Sequence, residues 1–331
     1  MSLPDFQLLR PRALTEAVDL LARHAGKIQV IAGGTDLLPS MRQGLFAPQY
    51  LLDIRGIAGL RGIRRGDSSL EIGALTPLSD IERSDTICRD YSVLAEAAAT
   101  VASPVLRNMG TLGGNICLDT RCLWYNQSLT WRKSCGFCIK KDGDICHVAP
   151  GGDKCWAAFS ADTPPALLCL GAEIEIAGPR GMRRMPLADF YTGVGDARMK
   201  LAQDEILTRV FLPASSAGLR GAYRKLRVRG SIDYPLAGVA VTMRPANGHA
   251  AETRVAITAV NPAPLLVHVA GKFLAANAPG VLDASAAVAA GDLAARAARP
   301  LTTSALTPEY RKEMIRVLTK RALLEIAPEK R

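Results

Sequence analysis

Five of the eight cysteines crowd into one segment: Cys122, then Cys135 and Cys138, then Cys146 and Cys155. Thiolates at such spacing can wrap one zinc ion or one cubane iron–sulfur cluster, and both want four of them. Spacing alone leaves that choice open, and it leaves one thiol over. Gly136, Gly143, Gly151 and Gly152 supply the tight turns that would gather the sulfurs. His147, next to Cys146, is either a further ligand or a hydrogen-bond partner to one. No apolar leader opens the sequence. A cytoplasmic chain with reduced cysteines is therefore expected, holding metal or doing redox chemistry rather than forming disulfides.

A second kind of site is written in glycine. Val30-Ile31-Ala32-Gly33-Gly34-Thr35-Asp36-Leu37 reads as a strand running into a Gly-Gly turn. Thr111-Leu112-Gly113-Gly114-Asn115 repeats the theme about 80 residues later. Without a Cβ in the way, backbone N–H groups can approach an anion, and the flanking hydroxyls add donors. Two such loops suggest one extended dinucleotide held from two sides. The Rossmann fingerprint is absent, because Gly193-Val194-Gly195 runs into Asp196-Ala197-Arg198 without a third glycine. There is no P-loop, H-E-x-x-H or G-x-S-x-G. A nicotinamide dehydrogenase and a P-loop NTPase are disfavoured. The four histidines are His24, His147, His249 and His268, with His24 and His268 in structural helical contexts, and Asp142 and Asp144 read as a solvated loop. The sequence offers places for cofactors rather than side chains for acid–base work.

The elements that must position these residues read as α+β. Leu14, Val18, Leu21 and Ala22 recur at helical spacing, followed by strands at Lys27–Ala32, Leu51–Ile54 and Leu70–Ala74. Thr76-Pro77 opens a helical stretch, and Tyr91–Ala102 is Ala-rich and helical. Ala172–Ala177 and Met182–Leu187 flank Gly-Pro-Arg-Gly as a hairpin, and Ile206–Leu212 is a strand. A boundary is expected in Pro213–Gly218, giving units 1–215 and 216–331. Beyond it come strands at Ala222–Val228, Leu236–Met243 and Ala251–Val260, then helices, the last capped by Thr307-Pro308.

With 331 residues, 48% hydrophobic and 22% charged, the chain can build a large core in two or three units. No run approaches the ~18 apolar residues of a membrane span. The net charge is +10, but the basic clusters Arg61–Arg65, Arg180–Arg184 and Arg220–Arg229 are short and broken, and aromatics are only 5%. That argues against nucleic acid and for an acidic protein partner. Between Leu118 and Ala157 six Lys or Arg face four Asp, and Lys140-Lys141 are expected on its docking surface.

The two glycine segments resemble the flavin-binding signatures of the medium, FAD-carrying subunits of the xanthine dehydrogenase family of molybdenum hydroxylases. The similarity continues through Ser160–Leu167 to Gly171-Ala172, Glu205–Leu207 and Tyr223–Asp233. Roughly 40 residues, Leu118–Ala157, separate the second signature from the Ser-Ala-Asp segment, and all five crowded cysteines lie there. Such an insert is similar to that of the β subunits of 4-hydroxybenzoyl-CoA reductases. The resemblance implies a two-part FAD-binding domain of vanillyl-alcohol oxidase type plus a C-terminal α+β domain of CO dehydrogenase flavoprotein type. It implies FAD held by Val30–Leu37 and Thr111–Asn115, with Val101, Asp162, Leu207 and Lys225 touching it. It implies a [4Fe–4S] cluster on Cys122, Cys138, Cys146 and Cys155, against the local Cys-x-x-Cys that would favour Cys135. It also implies a molybdopterin-binding large subunit, a [2Fe–2S] small subunit, a dimer of heterotrimers and a ferredoxin donor. Two alternatives stand beside this: a zinc-bearing basic protein that binds nucleic acid, and the FAD subunit of another enzyme of the same family.

Overall fold

The computed structural model describes residues 2–244, 252–277 and 282–327. His249 and Ala251 lie outside them. Among the described residues there are three sheets. Gln7–Leu9, Tyr50–Asp53 and Ile28–Ile31 form a parallel sheet with Tyr50–Asp53 in the middle. The helix Leu14–Arg23 connects two of its strands and buries Ala17, Val18 and Leu21, one stripe at helical spacing.

The second sheet is antiparallel, in the order Ile63–Arg65, Ser69–Gly73, Ile206–Pro213, Glu173–Gly178, Gly181–Pro186. Ile174 and Ile176 point inward while Glu173 and Glu175 point out, the alternation a one-faced sheet demands. The expected hairpin is there, with Gly181 at φ +100° closing its turn.

The third sheet runs Leu265–Leu266, Arg254–Thr258, Ala237–Met243, Arg220–Leu226, all antiparallel. Every residue of Ala237–Met243 is buried. Val239 and Val241 face one core with the helices Ala284–Ala297 and Pro308–Ile326. Ala240 faces the other core, shared with the helices Ser92–Ala99 and Thr163–Cys169. A strand covered on both sides has no polar face to show, so its sequence reads as an unbroken apolar run. The same packing joins the C-terminal sheet to the rest of the molecule.

Three local expectations change. The helix expected over Tyr91–Ala102 stops at Ala99, and Ala102 takes φ +46°. Pro77 caps the helix Leu78–Arg83 from outside, its carbonyl accepting from Ile81 N–H, while Leu78 N–H, one of the first-turn donors without an intrahelical acceptor, donates to Gly110 O. The segment Thr111–Asn115 is no loop but the start of a short helix, Leu112–Ile116. Its cap Thr111 accepts from Gly114 N–H at 3.1 Å.

Candidate functional site

A cavity of about 790 Å³ opens between the glycine segments, within the range of small-molecule and cofactor sites. Val30–Leu37 line it without a break, joined by Val101, Thr111, Gly113, Gly114, Asn115, Asp162 and Leu207. Leu112 and Lys225 do not line it. Leu112 is fully buried in the core, and Lys225 stands behind Asp162.

The glycines have different reasons for being glycine. A Cβ on Gly33 would lie 1.9 Å from Met109 O, so this residue exists to let one glycine segment pack on the approach to the other. A Cβ on Gly113 would lie 2.9 Å from Ala74 O, again a packing demand. Gly34 turns the chain at φ +71°. A Cβ on Gly114 would meet only Thr111 Oγ1, at 3.0 Å, and would otherwise fill the cavity. That is the cradle for close backbone approach that a large anionic cofactor needs.

Two polar knots close the cavity. Asp162, 3% exposed, accepts from Tyr223 OH at 2.7 Å and pairs with Lys225 Nζ at 3.1 Å. Lys225 also donates to Thr100 O and Asp233 O, so one ammonium ties the C-terminal sheet to the Ser92–Ala99 helix end. Burial pushes the Asp162 carboxyl up and the Lys225 ammonium down, each opposed by the other's charge. In the second knot Arg121 donates to Asp36 at 2.8 Å, Tyr234 OH donates to the same oxygen at 2.8 Å, and the Arg121 guanidinium lies 4.0 Å over the Tyr234 ring. Sequence reasoning missed Arg121, Tyr234, Asp119 and Arg198 as lining residues. No local motif marks them, since they come from three separate segments, around 119–121, 198 and 234.

A second, small cavity is lined by Cys122, Cys138, Cys146 and Cys155, with Trp124, Tyr125, Lys140 and His147 among its walls. All four cysteines are buried. Cys135 is partly exposed, ends the helix Leu129–Ser134 and does not line this cavity. Ile139 N–H donates to Ile145 O, closing a tight loop that holds Cys138 near Cys146. Gly143 is forced there, because its Cβ would lie 2.8 Å from Cys138 N. Trp124 stacks on His147 at 4.4 Å, and His147 Nε2 contacts Phe137 O. Gly195, read above only as part of a failed fingerprint, packs on Cys155: its Cβ would lie 2.8 Å from Sγ. Burial pushes the Cys122 thiol up to about 11 and the Cys155 thiol up to about 12. Among the described residues no three His, Cys, Asp or Glu side chains stand close enough to hold a single metal ion.

One chain segment lines both cavities. Asp119 and Arg121 line the large one and Cys122 the small one. Lys140 is bound to this segment and does not belong to a docking surface. Its side chain is 6% exposed and pairs with Asp119 at 2.9 Å. Arg132 is buried too, donating to Gly44 O, and Arg121 is committed to Asp36. Of the six basic residues of this segment, Lys133 is exposed, and Lys141, Lys154 and the Asp36-bound Arg121 are partly exposed.

Comparison with known proteins places the whole. Residues 4–215 match the family described as the FAD binding domain in molybdopterin dehydrogenase, and residues 221–326 match the CO dehydrogenase flavoprotein C-terminal domain. The chain is 30% identical over 320 residues to the carbon monoxide dehydrogenase medium chain of Hydrogenophaga pseudoflava, covering 97% of this chain and 96% of that one. It is 29% identical over 318 residues to the xanthine dehydrogenase FAD-binding subunit of Escherichia coli O157:H7, covering 96% and 94%. Among solved structures, a carbon monoxide dehydrogenase from Hydrogenophaga pseudoflava superimposes with a TM-score of 0.81 at 30% identity, covering 99% of this chain and all of that one. Quinoline 2-oxidoreductase from Pseudomonas putida 86 gives 0.78 at 25% identity, with 98% of each chain covered. The α+β fold class read from the sequence is the one found, and the zinc-bearing nucleic-acid-binding alternative gives way. This chain belongs to the medium, FAD-binding subunits of the xanthine dehydrogenase family of molybdenum enzymes.

Proposed function

We propose that this FAD subunit holds a second redox centre, a [4Fe–4S] cluster on Cys122, Cys138, Cys146 and Cys155, and serves an enzyme of the 4-hydroxybenzoyl-CoA reductase type. What supports the centre is the meeting of four buried thiols around one cavity while Cys135 stays outside it. A single zinc ion draws its thiolates to about 2.3 Å from one point. A cluster of several irons takes one thiolate at each and needs them spread around it. Four buried cysteines lining one cavity supply the thiolates that either centre needs, and the likeness of the insert to that of the reductases favours the cluster. The relatives are named for carbon monoxide, xanthine, aldehyde and nicotinate chemistry, and they favour the broader reading, the FAD subunit of another family enzyme. The reductase assignment rests on the cysteine insert alone.

In this reading the FAD site comprises Val30–Leu37, Thr111, Gly113, Gly114, Asn115, Val101, Asp162 and Leu207, with Lys225 holding Asp162 from behind, in a chain of two units, 1–215 and 216–331. Flavin, when bound, exchanges one or two electrons. The protein holds it between the glycine segments and closes the cavity with the Asp36–Arg121–Tyr234 knot. Substrate chemistry falls to a molybdopterin-binding large subunit, and onward transfer to a [2Fe–2S] small subunit, in a dimer of heterotrimers. An acidic donor such as a ferredoxin delivers electrons at the insert, through Lys133 and Lys141 rather than Lys140.

Single Cys→Ala variants of the full chain, assayed for iron and acid-labile sulfide, test the ligand set. Cys122, Cys138, Cys146 and Cys155 should each abolish the cluster when replaced, and Cys135 should not. Loss with Cys135→Ala and retention with Cys122→Ala would overturn it.

A further inference from the structure

Among the described residues, Lys140 is the one Lys, Arg, Asp or Glu lining the thiol cavity. Its ammonium is held from the opposite side: Asp119 Oδ1 lies at 2.9 Å, Thr120 O at 2.8 Å, and Thr120 Oγ1 is also in contact. The Tyr125 ring centroid is 4.2 Å away. Thr120 is pinned in turn by its hydroxyl, which donates to Gly195 O. Asp119 lines the large cavity, where Arg198 approaches the same oxygen at 3.4 Å. One buried ion pair therefore links the linings of the two cavities, its cation at the thiol cavity and its anion at the flavin cavity.

We propose that Lys140 is a positioning residue that sets the reduction potential of the cluster, with Asp119 fixing its charge in place between the two centres. This rests on the cluster reading given above. Four thiolates outweigh the positive iron–sulfur core, so the cluster is an anion, and reduction adds one electron and no proton. A low-dielectric cavity resists that added charge. A fixed ammonium in the cavity wall favours the reduced state because it is screened little by solvent. The carboxylate of Asp119 limits how far this goes. The neighbouring Lys141 carries the same charge but is 35% exposed and lies near Asp142, so water screens it.

The test is a redox titration of the cluster by electron paramagnetic resonance in the full chain, with iron and sulfide counted in each sample. Lys140→Met should disfavour reduction at least tenfold, a potential more negative by about 60 mV for one electron. Lys140→Arg should restore the wild-type value, and Lys141→Met should leave it unchanged. Asp119→Asn should move the potential in the opposite direction. A loaded Lys140→Met with the wild-type potential, or equal shifts from Lys140→Met and Lys141→Met, overturns the proposal. If Lys140→Met does not load, an unchanged potential in Asp119→Asn overturns it. A wild-type chain without iron and sulfide instead overturns the cluster reading itself, and that outcome is seen before any titration begins.

Discussion

Gly33 and Gly114 look alike in the sequence, each within a Gly-Gly pair, yet they answer to different neighbours. Gly33 is fixed by the backbone at Met109, and Gly114 borders open cavity. Gly114→Val should therefore leave the fold intact and weaken flavin binding tenfold or more, about 1.4 kcal/mol. Flavin absorbance of the purified chain beside its melting temperature checks this; full flavin content would contradict it. Gly33→Ala should instead lower stability by about 1–3 kcal/mol through overpacking, seen as a lower melting temperature. At this scale the sequence is readable where close packing or a turn forces a residue type, as with the glycine pairs. It is silent where distant segments meet. Nothing near Lys140 announces that its side chain turns inward to Asp119, and sequence reasoning sent it to the surface. Nor does anything around Tyr234 announce Asp36, 198 positions away.

The larger elements were legible because one face of each is buried and the sequence must keep the corresponding period. The 178–181 hairpin, the strand Ile206–Pro213 and the capped helix Pro308–Ile326 follow that rule. The short helices, such as Leu112–Ile116 and Leu129–Ser134, are too brief to show a period and are set by caps and tertiary bonds. The hairpin also carries a pH dependence. Arg183 grips Glu205 with two bonds of 2.8 Å, fastening Gly181–Pro186 to the turn before Ile206–Pro213. The Arg183 hydrogen bonds hold the Glu205 carboxyl below its ordinary value of 4.5. The folded state thus binds this proton less tightly than the unfolded chain. The stabilisation is present above 4.5 and lost as pH falls through the depressed folded value. Melting temperatures measured from neutral pH downward should fall more steeply for the wild type than for Glu205→Gln below that point. Parallel curves would show that the clasp contributes nothing.

Across the whole molecule, the C-terminal sheet is bound to the flavin-binding part by a shared apolar core and by the Asp162–Lys225 pair, with side chains 5% and 3% exposed. Lys225→Met leaves a buried carboxylate without its cation and should cost about 3–5 kcal/mol. The double change Asp162→Asn with Lys225→Met should cost less than Lys225→Met alone, and chemical denaturation distinguishes them. Equal losses would mean that the pair is not coupled. The proposed function requires one chain to hold both FAD and a [4Fe–4S] cluster. The direct measurement is the content of flavin, iron, acid-labile sulfide and zinc in the full chain purified without oxygen. The expected result is one FAD with about four iron and about four sulfide per chain and no zinc. Flavin with no iron and sulfide, or with a single zinc, would contradict it.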